Sequence, residues 1–324
     1  MFAAAIVQPE GTSMKVAICV DCYVTYRQSL GIGFVGEKGR LKAFAQSVGD
    51  IHLRAVTPRA VRRYLDGNGP ITNGWLHKYH VLNGFYRFAI SRKYVSASPL
   101  PLDKPRRQRT FVPYIYSIAE MESLLKAADQ RYRNCWLLSP ATIRTLLLLL
   151  YGSGLRISEA LTLNVDDVDL HNRILIVRQT KFYKSRLVPV GNDLHNLLLA
   201  YWRKHRIGAI TADEPFLTDR NGRRIAKQTA QHSYRLVREH IGLRRPSSCF
   251  FQPRLHDLRH TFAVNRLISW YRTGKNVQQL LPHLATYLGH CSIQETQTYL
   301  QLTSDLAQEA SARFFQYASP KTGQ

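Results

Sequence analysis

A basic segment interrupted by prolines, residues 99–112, divides this chain into two parts. It contains three prolines and four basic side chains and shows no helical or strand period. Proline lacks a backbone N–H and interrupts regular structure, so this composition is typical of a linker. We therefore predict a flexible N-terminus at residues 1–14, a first domain at 15–98, the linker, and a second domain at 113–324.

The first domain is predicted to be a helical bundle. Thr57 is suited to cap a helix that begins at Pro58. A second amphipathic helix is indicated by an apolar residue at every third position from Leu76 to Phe85. The first of these helices carries three arginines on its polar face, which could contact a DNA backbone or form only a solvated surface: Arg59, Arg62 and Arg63.

The second domain is predicted to combine helices with a small β-sheet. Ser117 and Glu120 form a capping-box pattern that begins a helix. Two β-rich runs, residues 173–177 and 186–190, are separated by a short turn and indicate a hairpin. The fold class is therefore mainly α with a small β-sheet. Further helical patterns lie at 140–151, 157–163, 192–205 and from 228 onward.

The charge of the chain predicts a polyanionic partner. Forty-five Lys and Arg oppose 22 Asp and Glu, a formal net charge of +23. Up to Val112 there are 17 basic and 6 acidic residues (+11), and after it 28 and 16 (+12), so both parts are cationic. Binding to phosphates releases condensed counterions, which makes nucleic acid the first expectation. A basic surface without a specific ligand is the alternative.

The cysteines and the apolar runs exclude other classes of protein. Five scattered cysteines do not form a disulfide framework, and the Cys19-x-x-Cys22 pair lacks the further ligands of a zinc site. We therefore predict ordinary helix packing for these two and no metal or cofactor. No apolar run approaches the ~20 residues of a membrane span, and no basic leader is present, so we predict a cytoplasmic protein without a membrane partner.

Three separated segments carry residues suited to phosphodiester chemistry. Arg156 follows a glycine turn and precedes its possible orienting partner Glu159, and its planar fork can donate two hydrogen bonds to a phosphate. The hairpin turn contains Lys181 and Lys184. A lysine at such a tip can protonate a departing oxygen. The third segment is a His-x-x-Arg sequence, residues 256–259, whose two side chains share one face of a helix.

A fourth segment contains Leu288-Gly289-His290, with Tyr299 nine residues after the histidine. Ser292 and Glu295 form another capping-box pattern, which predicts a helix with Tyr299 two turns from its start. Each of the four segments is weak evidence alone, because arginines, histidines and tyrosines are common on ordinary helices. Their order in one chain is far more specific.

That order, Arg, Lys, His-x-x-Arg, His, Tyr, resembles the signature of the tyrosine recombinase, or phage integrase, family over about residues 113–317. The resemblance implies an N-terminal SAM-like core-binding bundle and a C-terminal mixed α+β catalytic domain that close around DNA. It also implies cleavage and rejoining of DNA strands through a 3′-phosphotyrosyl intermediate, without metal or ATP.

The resemblance further implies a role for each matching residue. Tyr299 would be the nucleophile, and Arg156 and Arg259 would hold the non-bridging oxygens of the scissile phosphate. His256 would be the general base, since imidazole titrates near neutrality whereas tyrosine has a pKa of ~10. His290 would hydrogen-bond the phosphate.

The general acid is the least certain of these roles. Lys181 matches the hairpin lysine of the family, but it lacks the flanking glycines that the family often has, so Lys184 remains a rival. Tyr287 and Tyr317 are competing tyrosines, although neither follows the glycine-histidine pair at the matching spacing.

The expected partner is double-stranded DNA, bound by a homo-oligomer with a dimer at each site and a tetramer at synapsis, together with related recombinases. Arg106 and Arg107 of the linker are candidate backbone contacts. The apolar pattern from Leu306 to Phe315 predicts a tail helix that packs on a neighbouring protomer or closes its own domain. A type IB topoisomerase and a catalytically silent DNA-binding protein are the alternative functions, and a mobile-element enzyme is favoured over a chromosome-resolving one.

Overall fold

The computed structural model describes residues 14–69, 72–105, 112–129, 138–178, 185–206, 211–246, 249 and 251–301. The contacts of the chain divide it into two compact units, Met1–Thr110 and Phe111–Gln324. The boundary falls inside the segment predicted to be a linker. The predicted tail helix and most of the predicted flexible N-terminus lie outside the described residues.

In the described part of the first unit there are four α-helices: α1 (Val16–Ser29), α2 (Val35–Val48), α3 (Pro58–Asp66) and α4 (Asn73–Ser91). Helix α3 begins as its sequence predicts, because the Thr57 hydroxyl accepts a hydrogen bond from the Ala60 N–H, 3.2 Å away, and Pro58 occupies the first turn. Its apolar side is buried, and Arg59, Arg62 and Arg63 are exposed. Cys19 is buried in the core of this unit, as expected for helix packing.

The second unit contains eight helices among the residues that the structure describes. The predicted Ser117–Glu120 capping box is formed, with the Ser117 N–H donating to the Glu120 carboxylate (2.8 Å) and the Glu120 N–H to the Ser117 hydroxyl (3.3 Å). The helices are α5 (Ile118–Asp129), α6 (Pro140–Ser153), α7 (Ile157–Thr162), α8 (Asn192–His205), α9 (Lys227–His240), α10 (Asp257–Arg272), α11 (Val277–Leu288) and α12 (Ile293–Gln297).

Helix α6 lies at the centre of this unit. Its leucines are buried on several sides, and it packs against α5, α8 and α10. Gly154 ends the helix in the left-handed conformation, at φ 62°. A Cβ there would lie 2.5 Å from the Phe262 ring, so the close approach of α6 and α10 requires glycine.

A three-stranded antiparallel sheet, in the order β1-β2-β3, packs beside these helices. Strands β2 (Ile174–Val177) and β3 (Arg186–Pro189) form the predicted hairpin, with Leu175 opposite Val188. Strand β1 (Val168–Asp169) adds a short edge that its sequence does not predict. Lys181 and Lys184 belong to the turn of the hairpin and lie outside the described residues.

The region before Tyr299 differs from its prediction. The Ser292 side chain makes no capping hydrogen bond, so the predicted capping box is wrong, and α12 ends at Gln297. The Glu295 N–H instead bonds the Ser292 backbone carbonyl. Tyr299 therefore lies in a 3₁₀ turn, Thr298–Gln301, where its ring packs into the apolar cluster of α10 and α11.

Candidate active site

A buried carboxylate anchors the first arginine of the site. Glu159 is 8% exposed and accepts hydrogen bonds from the Arg156 N–H (2.9 Å) and the Arg156 Nη1 (2.8 Å). Arg186, at the start of β3, binds the same carboxylate through Nη1 (3.1 Å) and Nη2 (2.8 Å). Burial opposes the charge of Glu159, but the hydrogen bonds from both arginines outweigh it and lower the pKa to about 2. The carboxylate is ionised at neutral pH and fixes two guanidiniums.

The C-terminal end of α11 holds three arginines through consecutive backbone carbonyls. Arg186 Nε donates to the Tyr287 carbonyl (2.8 Å), Arg259 Nη2 to that of Leu288 (2.7 Å), and Arg156 Nη2 to that of Gly289 (2.7 Å). Carbonyls that end a helix have no intrahelical partner and carry the negative end of its dipole. The carbonyls of the Leu288-Gly289 motif therefore orient the arginines of the site.

Gly289 is required for this arrangement. It ends α11 at φ 69°, and a Cβ at this position would lie 2.8 Å from Arg186 Nη1. The N–H groups of Gly289 and His290 bond back to Thr286 and Ala285, the pattern of a Schellman motif. Glycine at this position thus permits both the turn and the close approach of the guanidinium.

Arg259 is the most deeply placed cation of the site. It is 2% exposed, and its Nη1 donates to the Gly154 carbonyl at 2.8 Å. Burial and the nearby charge of Arg156 lower its pKa to about 10, so it stays charged at neutral pH. The conformation of Gly154 that ends α6 also aims its carbonyl at this guanidinium.

Tyr299 brings its hydroxyl to these arginines. The residue is 3% exposed. Burial raises the pKa of its hydroxyl, whereas the charges of Arg259 and Arg156 and a hydrogen bond from Arg259 oppose the rise. The hydroxyl is also 3.2 Å from Nδ1 of His260, and the two ring centroids are 5.5 Å apart.

Two further imidazoles complete the group. His256 immediately precedes α10, and its ring is 5.0 Å from that of His260 and nearly perpendicular to it. The His290 ring stacks on Tyr299 at 5.9 Å and places Nδ1 2.7 Å from the Thr296 hydroxyl. Burial is the main cause that lowers the pKa of all three imidazoles, to about 4 for His256 and about 3 for His260 and His290. Nearby arginines add to the effect, and for His260 the adjacent His256 ring does so first. All three are therefore neutral at neutral pH.

The structure thus brings together Arg156, His256, Arg259, His290 and Tyr299, which come from segments far apart in the sequence. The exposed arginines of α3 belong to the other unit. Of the remaining predicted residues, these lie outside the described part of the chain: Lys181, Lys184, Arg106 and Arg107.

Two residues of the site, His260 and Arg186, were not predicted from the sequence. The signal for His260 was its position four residues after His256, which places both on one helix face. Arg186 offered no local signal, because its contact with Glu159 spans 27 residues. The described residues contain no group of three side chains suited to hold a metal ion.

Residues 117–305 match the phage integrase family, and this match covers more than half of the chain. The chain belongs to the phage integrase family. It is 35% identical over 305 residues to a protein of Sinorhizobium fredii (strain NBRC 101917 / NGR234) named as an integrase/recombinase, y4rE, covering 91% of this chain and 94% of that one. It is also 28% identical over 263 residues to the tyrosine recombinase XerD of Bifidobacterium longum (strain NCC 2705), covering 78% and 79%.

The fold agrees with that membership. A lambda integrase tetramer bound to a Holliday junction superposes with a TM-score of 0.62 at 17% identity, over 90% of this chain and 83% of the integrase chain. The predicted fold class is confirmed. These comparisons support site-specific DNA recombination by a tyrosine recombinase, and they do not favour the topoisomerase alternative. Among the described residues, no helix is long and apolar enough to cross a membrane.

Proposed function

We propose that this recombinase uses Tyr299 to cleave one DNA strand, forming a 3′-phosphotyrosyl link and releasing a 5′-hydroxyl. The observation that carries the proposal is the convergence of two arginines and the neutral imidazoles of His260 and His290 on the single buried residue Tyr299. Tyr287 lies near the same helix end, but its hydroxyl donates to the Pro189 carbonyl at 3.2 Å, away from this group.

The two arginines match the charge that develops in the reaction. As the tyrosine oxygen attacks phosphorus, negative charge grows on the non-bridging oxygens, and fixed cations stabilise it without reorganising. Arg259 and Arg156 are each already held by backbone carbonyls, so their remaining N–H groups are oriented before DNA binds. His290, beside the tyrosine ring, is proposed to hydrogen-bond the phosphate.

Bond exchange accounts for the religation step. The new O–P bond forms as the P–O5′ bond breaks, so the phosphodiester's free energy is kept in the tyrosyl ester. A 5′-hydroxyl of the same or another strand can then attack that ester and release Tyr299. Lys181, or its rival Lys184, is proposed to protonate the departing 5′ oxygen.

The partner proposed is double-stranded DNA, bound by a dimer at each site and a tetramer during strand exchange. Two observations support this: the net charge of +23, and the structural likeness to an integrase tetramer on a Holliday junction. Related recombinases are further candidate partners. Arg59, Arg62 and Arg63, exposed on α3, are proposed to hold the backbone. We also propose a cytoplasmic location at the nucleoid, and a mobile element as the source of the gene.

The first experiment identifies the nucleophile. Covalent protein–DNA adducts are mapped across a host genome, and a nicked suicide substrate is built from the mapped site. Wild type and Tyr287→Phe are expected to form the adduct, and Tyr299→Phe is expected to form none. An adduct that persists in Tyr299→Phe contradicts the assignment.

A second experiment assigns the general acid. A bridging 5′-thio leaving group needs little protonation and is expected to restore cleavage to the variant that lacks the acid. Rescue of Lys181→Ala supports the assignment above, whereas rescue confined to Lys184→Ala moves the role to Lys184.

A further inference from the structure

We propose that His260, the residue after the His-x-x-Arg sequence, accepts the proton of Tyr299 during cleavage and returns it during religation. This inference rests on the proposed role of Tyr299 as the nucleophile. It replaces the assignment of His256 as general base, which the resemblance to the family implies.

The hydrogen bonds at the tyrosine oxygen have a definite direction. A hydroxyl has one hydrogen to donate and lone pairs that accept. Arg259 can only donate, and its hydrogen bond to the Tyr299 oxygen is one of the interactions that oppose the rise of the tyrosine pKa. The hydroxyl hydrogen is therefore free to point to an acceptor, and Nδ1 of His260 lies 3.2 Å away. In the tautomer protonated at Nε2, this nitrogen is an acceptor.

His256 is less well placed than His260 to accept this proton. Its ring centroid is 5.0 Å from that of His260, on the same face of α10. The described contact between an imidazole nitrogen and the Tyr299 hydroxyl is that of His260 Nδ1, which accepts the hydroxyl hydrogen, so His256 lies one ring further from the proton. A general base must lie within hydrogen-bonding reach of the proton that it abstracts.

Packing fixes the contact between His260 and Tyr299. Tyr299 is 3% exposed and lies in the apolar cluster that α10 and α11 form around Phe262 and Leu284. His260 follows directly from Arg259, whose two bonds to backbone carbonyls tie α10 to the ends of α6 and α11. Both partners are therefore held by buried structure.

The surroundings of His260 keep its ring neutral before the reaction. Facing it are His256 on its own helix, Arg254 before that helix, Arg259, His290 after α11, and the Tyr299 hydroxyl. Burial, the adjacent His256 and the charges of Arg254 and Arg259 lower the pKa of His260 to about 3, so the ring is neutral and its lone pair is available. A bound phosphate adds negative charge that offsets Arg259, which raises the basicity of the ring when the proton must move.

Proton transfer to His260 and strand cleavage together conserve atoms and charge. The tyrosine O–H bond breaks and an Nδ1–H bond forms on His260, while the O–P bond forms and the P–O5′ bond breaks. The imidazolium keeps the proton beside the phosphotyrosyl ester. When a 5′-hydroxyl attacks that ester, the tyrosine oxygen leaves and takes the proton back.

The test measures single-turnover cleavage of the suicide substrate by full-length His260→Gln, with His256→Gln as the matched control. The glutamine oxygen can still accept the hydroxyl hydrogen bond but cannot carry the proton as a base. We expect a loss of about 10²–10⁴-fold for His260→Gln, the usual contribution of a general base. The acid limb of the pH–rate profile is expected to disappear in this variant and to persist in His256→Gln.

Chemical rescue separates proton transfer from a structural defect. Added imidazole is expected to restore cleavage to His260→Ala, in proportion to the neutral imidazole, and to leave His256→Ala unchanged. Cleavage by His260→Gln within about threefold of wild type, or rescue confined to His256→Ala, overturns the proposal. If Tyr299→Phe itself forms the adduct, the proposed nucleophile fails instead, which is a different result.

Discussion

Replacing Glu159 by glutamine tests the buried ion network beneath the active site. The substitution keeps the size of the side chain and removes its charge. It leaves one acceptor oxygen where the carboxylate accepts four hydrogen bonds, and it turns an NH₂ group toward an arginine N–H. Arg186, whose side chain is 11% exposed, then keeps its charge without a counter-ion.

The loss of stability in Glu159→Gln follows from the pKa of Glu159 and, independently, from the usual cost of breaking a buried ion pair. The Glu159 pKa falls from 4.5 to about 2. At about 1.4 kcal/mol for each pKa unit, this corresponds to about 3 kcal/mol of stability. Removing one partner of a buried ion pair costs about 3–5 kcal/mol, and the partial exposure of Arg156 favours the lower end. For a unit of this size, about 3 kcal/mol lowers the melting temperature by roughly 6–12 °C.

Calorimetry of wild type, Glu159→Gln and Glu239→Gln measures this effect. Glu239 is the matched control, because its side chain is 44% exposed and pairs with Arg238 at 3.3 Å, so its loss is expected to cost under about 1 kcal/mol. A carboxylate with a lowered pKa stabilises fully above its unfolded value of 4.5 and loses that effect as pH falls toward 2. The difference in stability between wild type and Glu159→Gln should therefore be constant above about pH 5 and shrink below that pH. A shift no larger than the control's, or one that grows in acid, refutes the reasoning.

Three further substitutions test how local structure determines the stability of the protein. Gly154→Ala is expected to lower the free energy of unfolding, measured in urea, by at least ~2 kcal/mol, because the new Cβ would clash with Phe262. Gly222→Ala is the control, since Gly222 has a similar positive φ but open space around it. An equal loss of stability in the two variants would contradict this reasoning. Because the pKa of His260 is lowered by folding, the unfolded state takes up a proton at a higher pH than the folded state does. Acidification from ~pH 7 to ~5 should therefore lower the free energy of unfolding of wild type by about 2 kcal/mol more than that of His260→Gln. Parallel curves of unfolding free energy against pH for the two proteins would contradict this. Thr57→Ala should lower the stability of the first unit by ~1 kcal/mol, because the capping hydrogen bond from the Ala60 N–H is lost. An unchanged melting curve would contradict this role of Thr57.

Local patterns predicted local structure well. Thr57 caps α3 and Ser117 pairs with Glu120 because each cap depends on residues within one helical turn. The same pattern failed at Ser292, where the backbone carbonyl takes the place of the hydroxyl and the chain tightens so that Tyr299 reaches the cluster of α10 and α11. There tertiary packing overrides the local preference.

In the site, too, some residues were predictable from the sequence and others depend on tertiary packing. The order of Arg156, His256, Arg259, His290 and Tyr299 was readable because the family carries it as a pattern. The contact of His260 with Tyr299 spans 39 residues. It depends on how α10 meets a 3₁₀ turn, which no spacing in the sequence determines.

The three arginines at the end of α11 have a consequence for the protein without DNA. Three guanidiniums meet one carboxylate and a helix end that carries about half a negative charge, so positive charge is in excess. A phosphodiester brings the single negative charge that reduces this excess. Under the proposed function, the scissile phosphate is therefore also a counter-ion of the catalytic unit, and substrate binding relieves the repulsion among its arginines.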